Sequence, residues 1–204
     1  MNLKEKIIIR FTNILGAISF IVLPLNYLAG IVGGIWLLLL GSWEFVLLGI
    51  LFVISMPFIY SLTFLFSAPL TMVSSYFYKK KKKILTYIFV FGGNIISNLV
   101  ISYWVFFVFK FFMSYSTTYN HWAFILWGYS TMLAPLAKMA RAEGPNNFSS
   151  TLSVWLAIIC YLILTASLFL SSPSYSLLII PSIVFTFVNI IFTSLMLDSS
   201  NSLL

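Results

Sequence analysis

From Phe11 to Tyr78, 68 consecutive residues carry one formal charge, Glu44, and the next five residues are Lys79, Lys80, Lys81, Lys82 and Lys83. A soluble fold needs polar side chains spread along the chain to cover its surface, whereas here the charge is concentrated at one point. The apolar stretch is long enough for more than one membrane crossing, at about 20 residues each. Five adjacent ammonium groups cannot follow it into hydrocarbon, because even one charge at the bilayer centre costs about 2.5–3.5 kcal/mol on insertion scales. The lysine run therefore stays in water beside a membrane and fixes which way the chain faces.

Composition agrees. Charged residues make up 7% of the 204 and hydrophobic residues 61%, against about 25% charged in a typical soluble domain. A soluble globule of this content would expose Phe, Leu and Ile over much of its surface and aggregate. The expected fold class is all-α: a polytopic integral membrane protein with a bundle of about six transmembrane helices. It forms a single membrane domain over 1–204, with no soluble domain. The net charge of +7 does not point to nucleic acid, since the basic residues sit in short clusters between apolar spans, as cytoplasmic loops require.

Topology follows from where those clusters fall. Lys4, Lys6 and Arg10 precede the first apolar block, and the start superficially resembles a signal peptide. The apolar run continues well beyond a signal's length, so an uncleaved first helix is expected. Three short helices before Tyr78 would put the lysine run opposite the basic amino terminus, whereas two long ones put both on one side. The expected helices are 12–40 and 45–77, joined by the turn Gly41-Ser42-Trp43-Glu44, then 84–113, 122–137, 151–171 and 176–197. Pro57 and Pro69 predict kinks in the second, and tilt absorbs excess length. The fourth is short, with a re-entrant segment as the alternative; Lys138 and Arg141 extend it by snorkelling. The loop at Gly144-Pro145-Asn146-Asn147 is a helix breaker, and Ser172-Pro173-Ser174 forms a tight turn. Six spans put both termini on the cytoplasmic side with ten of the eleven basic residues, Lys110 alone lying opposite. The glycosylation pattern Asn147-Phe148-Ser149 is then hidden from modification. The two three-helix halves are inverted relative to each other, as in many transporters, although any six-span chain has that property.

Polar residues recur at three- and four-residue steps. The first helix carries Thr12, Gly16, Ser19, Asn26, Gly30 and Gly33; the second Thr63, Ser67, Thr71 and Ser74; the third Asn94, Ser97, Asn98 and Ser102, after Gly92-Gly93. The fifth carries Ser153, Ala157 and Cys160, and the sixth Ser182, Thr186, Asn189 and Thr193. One reading is helix packing, in which small residues let backbones approach, as the Gly30–Gly34 GxxxG does, and each interhelical hydrogen bond adds about 0.6 kcal/mol. The other is a polar cavity lined by Asn26, Asn94, Asn98 and Asn189, whose amides find partners in a bound solute or a file of water.

Glu44 and Lys110 form a candidate charge pair at the outer face, each suited to its helix dipole; anchoring in a belt with Trp43, Trp104 and the tyrosines is the plainer account. His121 is the lone histidine, too few ligands for a metal or haem site built within one chain. No metal or cofactor is expected. Lys79 to Lys83 offer contact to anionic lipid or to an acidic partner. Catalysis is not expected: there is no paired intramembrane carboxylate, no HExxH and no phosphate-binding glycine loop. A serine–lysine dyad of Ser114 and Lys110 is compatible with the spacing alone. Cys160, the single cysteine, excludes an intramolecular disulfide.

The functional expectation is a small-solute transport or channel-type unit using the Asn/Ser/Thr faces. The alternative is a non-catalytic scaffold or sensor subunit of a larger membrane complex. Either way the chain is expected to sit in the lipid bilayer as a homo-oligomer or complex subunit. The expected setting is a bacterial cytoplasmic membrane, with an organelle membrane as the alternative.

Overall fold

A computed structural model describes residues 3–114, 121–142, 148–170 and 173–201. Every element in them is helical: α1 (Leu3–Leu39), α2 (Trp43–Lys79), α3 (Lys83–Ser114), α4 (His121–Ala142), α5 (Phe148–Leu170), one 3-10 turn (Tyr175–Leu178) and α6 (Ile179–Asn201). Three helices are long and apolar enough to cross a membrane, over Lys83–Ser114, Leu152–Leu170 and Tyr175–Phe192. Residues 115–120, the breaker at 144–147 and Ser172 lie outside the described residues, as does Asn147 of the glycosylation pattern, whose Phe148 and Ser149 open α5.

The first helix begins nine residues ahead of the expected position 12, at Leu3. Lys, Glu, Leu and Ile carry no helix-breaking chemistry, so the basic lead-in continues the helix instead of preceding it. The fourth runs past Pro135 to Ala142, five residues beyond 137. Pro24, Pro57 and Pro69 sit inside continuous helices, as membrane helices tolerate when neighbouring groups re-satisfy the freed carbonyls.

The first two connections share one geometry. After α1, Ser42 N–H donates to the Leu37 carbonyl at 2.9 Å and Gly41 N–H to Leu38 at 3.0 Å; after α2, Lys82 N–H donates to Phe77 at 3.0 Å and Lys81 N–H to Tyr78 at 2.9 Å. Both are Schellman motifs, which reverse the chain in three residues and need a left-handed residue at the pivot. Gly41 supplies it freely at φ 75°, but the second pivot is Lys81 at φ 57°. There a Cβ crowds the following carbonyl at a cost of about 1–2 kcal/mol.

Neighbours in sequence are not always neighbours in space. α2 packs along α3, but α1 leans mainly on α4, and α3 touches α2, α4, α5 and α6. The buried core gathers around the second half of α3, where Val105, Val108, Phe109 and Phe112 meet Phe124 of α4 and Leu156, Tyr161 and Leu164 of α5. Outward faces are apolar: Phe58 is 75% exposed, Met72 72% and Leu170 87%. Water would penalise such a surface, and acyl chains do not.

Candidate functional site

Along α3 the polar positions 94, 98 and 102 fall on one face because four residues nearly complete a helical turn. α6 runs antiparallel to it and offers Ser182, Thr186 and Asn189 in the reverse order. Asn98 Nδ2 donates to Thr186 Oγ1 at 2.8 Å, and Asn189 Nδ2 donates to Asn94 Oδ1 at 2.7 Å. The Ser102 and Ser182 hydroxyls meet at 2.5 Å. Other bonds stay within one helix: Thr186 Oγ1 donates to the Ser182 carbonyl and Asn94 Nδ2 to Val90. Of the two serine hydroxyls, one donates across the seam while the other donates to its own helix, Ser102 Oγ to the Asn98 carbonyl or Ser182 Oγ to Leu178. Cys160 of α5 closes the upper end, its Sγ 3.6 Å from Ser102 Oγ. Ser102, Ser182, Thr186 and Cys160 are fully buried. Ser97 is half-buried and joins none of these bonds. The α3–α6 seam is thus a ladder of amide and hydroxyl bonds that ties the two helices together.

No family model, curated protein or solved structure matches this chain, so its chemistry has to be read from its own residues.

Asn26 stands apart. It lies on α1, whose packing is against α4, and so away from the three asparagines of the α3–α6 seam. It is 1% exposed, and among the described residues both Oδ1 and Nδ2 are buried with no hydrogen-bond partner. One turn further along α1, Gly30 faces the Ser130 side chain, and Gly33 faces the backbone nitrogen of Trp127. The glycine stripe of α1 is therefore a track for α4. A Cβ at Gly16 meets no atom within 4 Å among the described residues, so the close contacts they show lie in the later part of the stripe. The Thr12, Ser19 and Thr193 side chains lie outside the described residues, as do those of Lys138 and Arg141.

Trp127 is the residue that pattern reading missed. Its ring packs on Gly34 of α1, and a Cβ at Gly49 of α2 would sit 2.2 Å from Trp127 Nε1. That nitrogen donates to the Phe45 carbonyl at 3.0 Å. One indole thereby wedges between α1 and α2 from α4, and an isolated glycine within an apolar helix was the available signal.

Glu44 and Lys110 are both exposed and form no ion pair with each other among the described residues. The reason is facial. Phe107 and Phe111 turn toward Phe52 of α2, whereas Phe106 turns toward Tyr175. The Lys110 ammonium lies over Phe106 at 5.8 Å, on the side away from α2. His121 is half-buried at the start of α4, and no group of three metal-ligating side chains occurs among the described residues. A cavity of about 510 Å³ beside α3 is walled by Leu62, Leu99, Val100, Tyr103, Trp104, Phe107 and Tyr175, with no asparagine among them.

At the far end of α2 the lysine run forms the turn itself. Lys79 ends α2, Lys80 to Lys82 make the reversal and Lys83 opens α3. All five are exposed, and Lys80 Nζ lies 4.5 Å above the Tyr76 ring.

Proposed function

We propose that this chain is a six-pass, non-catalytic subunit of a cytoplasmic membrane, with both termini and the lysine turn on the cytoplasmic side and its polar residues serving assembly. One observation carries the reading: the amides of Asn94, Asn98 and Asn189 are occupied by bonds between α3 and α6, as packing in lipid requires. A solute path along that seam would have to break them. Antiparallel pairing of α2 with α3 and of α3 with α6 supports alternating passes, and the equal lengths of α1 and α2 bring Lys6 and Arg10 toward the level of the lysine turn. That segregation of cations is what orientation demands.

Mild-detergent purification followed by mass analysis tests the assembly role. A stoichiometric membrane partner, or a stable homo-oligomer, is the expected result; a monomer that conducts or accumulates a solute in proteoliposomes overturns it. Single-cysteine labelling tests the topology after Cys160→Ala. Lys82→Cys should react only from the cytoplasmic side and Lys110→Cys only from the opposite side, and labelling of both from one side rejects six passes.

A transport role is the second reading, and Asn26 is what favours it. A buried amide with neither donor nor acceptor satisfied is costly in an apolar setting, and a polar solute between α1 and α4 would relieve it. Loss of solute flux in Asn26→Leu, with the protein still folded, is the outcome that reading requires.

A further inference from the structure

We propose that the α2–α3 turn is a headgroup site for membrane lipids carrying more than one phosphate, and that Lys81 keeps its strained backbone for the sake of its charge. The inference rests on the membrane reading above and adds the ligand class. Its first basis is electrostatic. Lys79 to Lys83 are all exposed, and no acidic residue stands in the first turn of α3. Lys79 sits at the negative end of α2, but Lys83 stands at the positive end of α3, and five ammonium groups within one turn repel one another unless anions collect there.

The second basis is the pivot. The sister turn solves the same backbone problem with Gly41, while this one places a side-chain-bearing residue at φ 57°. Glycine would relieve the strain, so a lysine held there points to a use for its ammonium group.

The third basis distinguishes a lipid from a soluble polyanion. Exposed apolar and aromatic residues flank the cations on both sides: Ile84 is 77% exposed, Tyr76 52% and Tyr78 42%. Interfacial tyrosines belong at the headgroup boundary, and Ile84 beside them would otherwise sit bare in water. A single headgroup with two phosphates neutralises two lysines while only one molecule is ordered, whereas singly charged lipids must be ordered one by one.

The test uses the full chain in phosphatidylcholine nanodiscs doped to equal total charge with either cardiolipin or phosphatidylglycerol, with retained lipids counted by native mass spectrometry. Wild type should retain cardiolipin in preference. Lys81→Gln removes the charge and keeps the Cβ; Lys81→Gly removes both. Each should weaken cardiolipin retention about fivefold, the share expected of one lysine near a surface, while Lys81→Gly alone raises thermal stability. Equal retention of the two lipids, or retention unchanged in both variants, overturns the proposal. So does full displacement of cardiolipin by soluble inorganic pyrophosphate. Cysteine labelling reports separately on topology, so a failed headgroup site and a failed six-pass reading give different results.

Discussion

Asn98 donates its side-chain amide to the Thr186 hydroxyl at 2.8 Å, and the same hydroxyl donates onward to the Ser182 carbonyl at 2.7 Å. The bond joins residues 88 apart in sequence and lies where neither helix can offer the amide water. A double-mutant cycle with Asn98→Leu and Thr186→Val isolates it. Interhelical hydrogen bonds in membranes average about 0.6 kcal/mol with an upper range near 1.7, because the unfolded helices also find partners in the bilayer. The coupling energy, measured by unfolding in mixed micelles, should fall in that interval. Strict additivity would mean that the contact contributes shape and no bond energy.

Two glycines predict opposite signs. At Gly49 a methyl group would meet Trp127 Nε1 at 2.2 Å and Cε2 at 2.6 Å, so Gly49→Ala must displace the indole and strain its bond to the Phe45 carbonyl. Overpacking of this kind costs about 1–3 kcal/mol, and the Trp127 fluorescence should shift with it. At Gly16 the same methyl meets nothing. Gly16→Ala should instead stabilise α1 by roughly 0.5–1 kcal/mol through helix propensity. Thermal melts of the two variants in one detergent check both signs.

What the sequence made legible, and what it hid, follows from the range of the interactions. An all-helical chain with spans near 84–113, 151–171 and 176–197 was readable because apolar length is a local property. The polar faces were readable too, since Asn94, Asn98 and Ser102 needed only helical spacing. Partnership was not. Gly30 and Gly34 announced a close approach without naming α4 as the helix that approaches, and nothing local says that α1 leans on α4 instead of α2. The grouping of Asn26 with Asn94, Asn98 and Asn189 failed to foresee that separation for the same reason. Glu44 and Lys110 matched in depth by residue counting, but the rotation of α3 that points Phe106 and Lys110 away from α2 is set by the aromatic contacts of Phe107 and Phe111 with Phe52.

The two Schellman pivots give a further pair of signs. Gly41→Ala forces a Cβ into a left-handed conformation at φ 75° although no neighbour lies within 4 Å, so its cost of about 1 kcal/mol is purely backbone in origin. Lys81→Gly reverses that change at φ 57° and should stabilise by a similar amount. Equal responses at the two sites would mean that the second turn relaxes its pivot in solution.

Gly128 and Tyr161 should behave as one unit. The Tyr161 hydroxyl donates to the Ile125 carbonyl at 2.7 Å, crossing α4 where Gly128 has no side chain. A Cβ there would stand 2.8 Å from that hydroxyl and 3.2 Å from Phe112 Cδ2. Tyr161→Phe alone loses a buried bond and should cost about 0.5–1.5 kcal/mol. Gly128→Ala alone pushes the ring away from its carbonyl and should cost at least as much. In the double variant the new methyl occupies the space that the hydroxyl has vacated, and no bond remains for it to break. Its destabilisation should therefore be smaller than the sum of the singles by more than the roughly 0.5 kcal/mol within which independent sites add. Additive losses would show that Phe112, and not the hydroxyl, sets the limit on side-chain size at position 128.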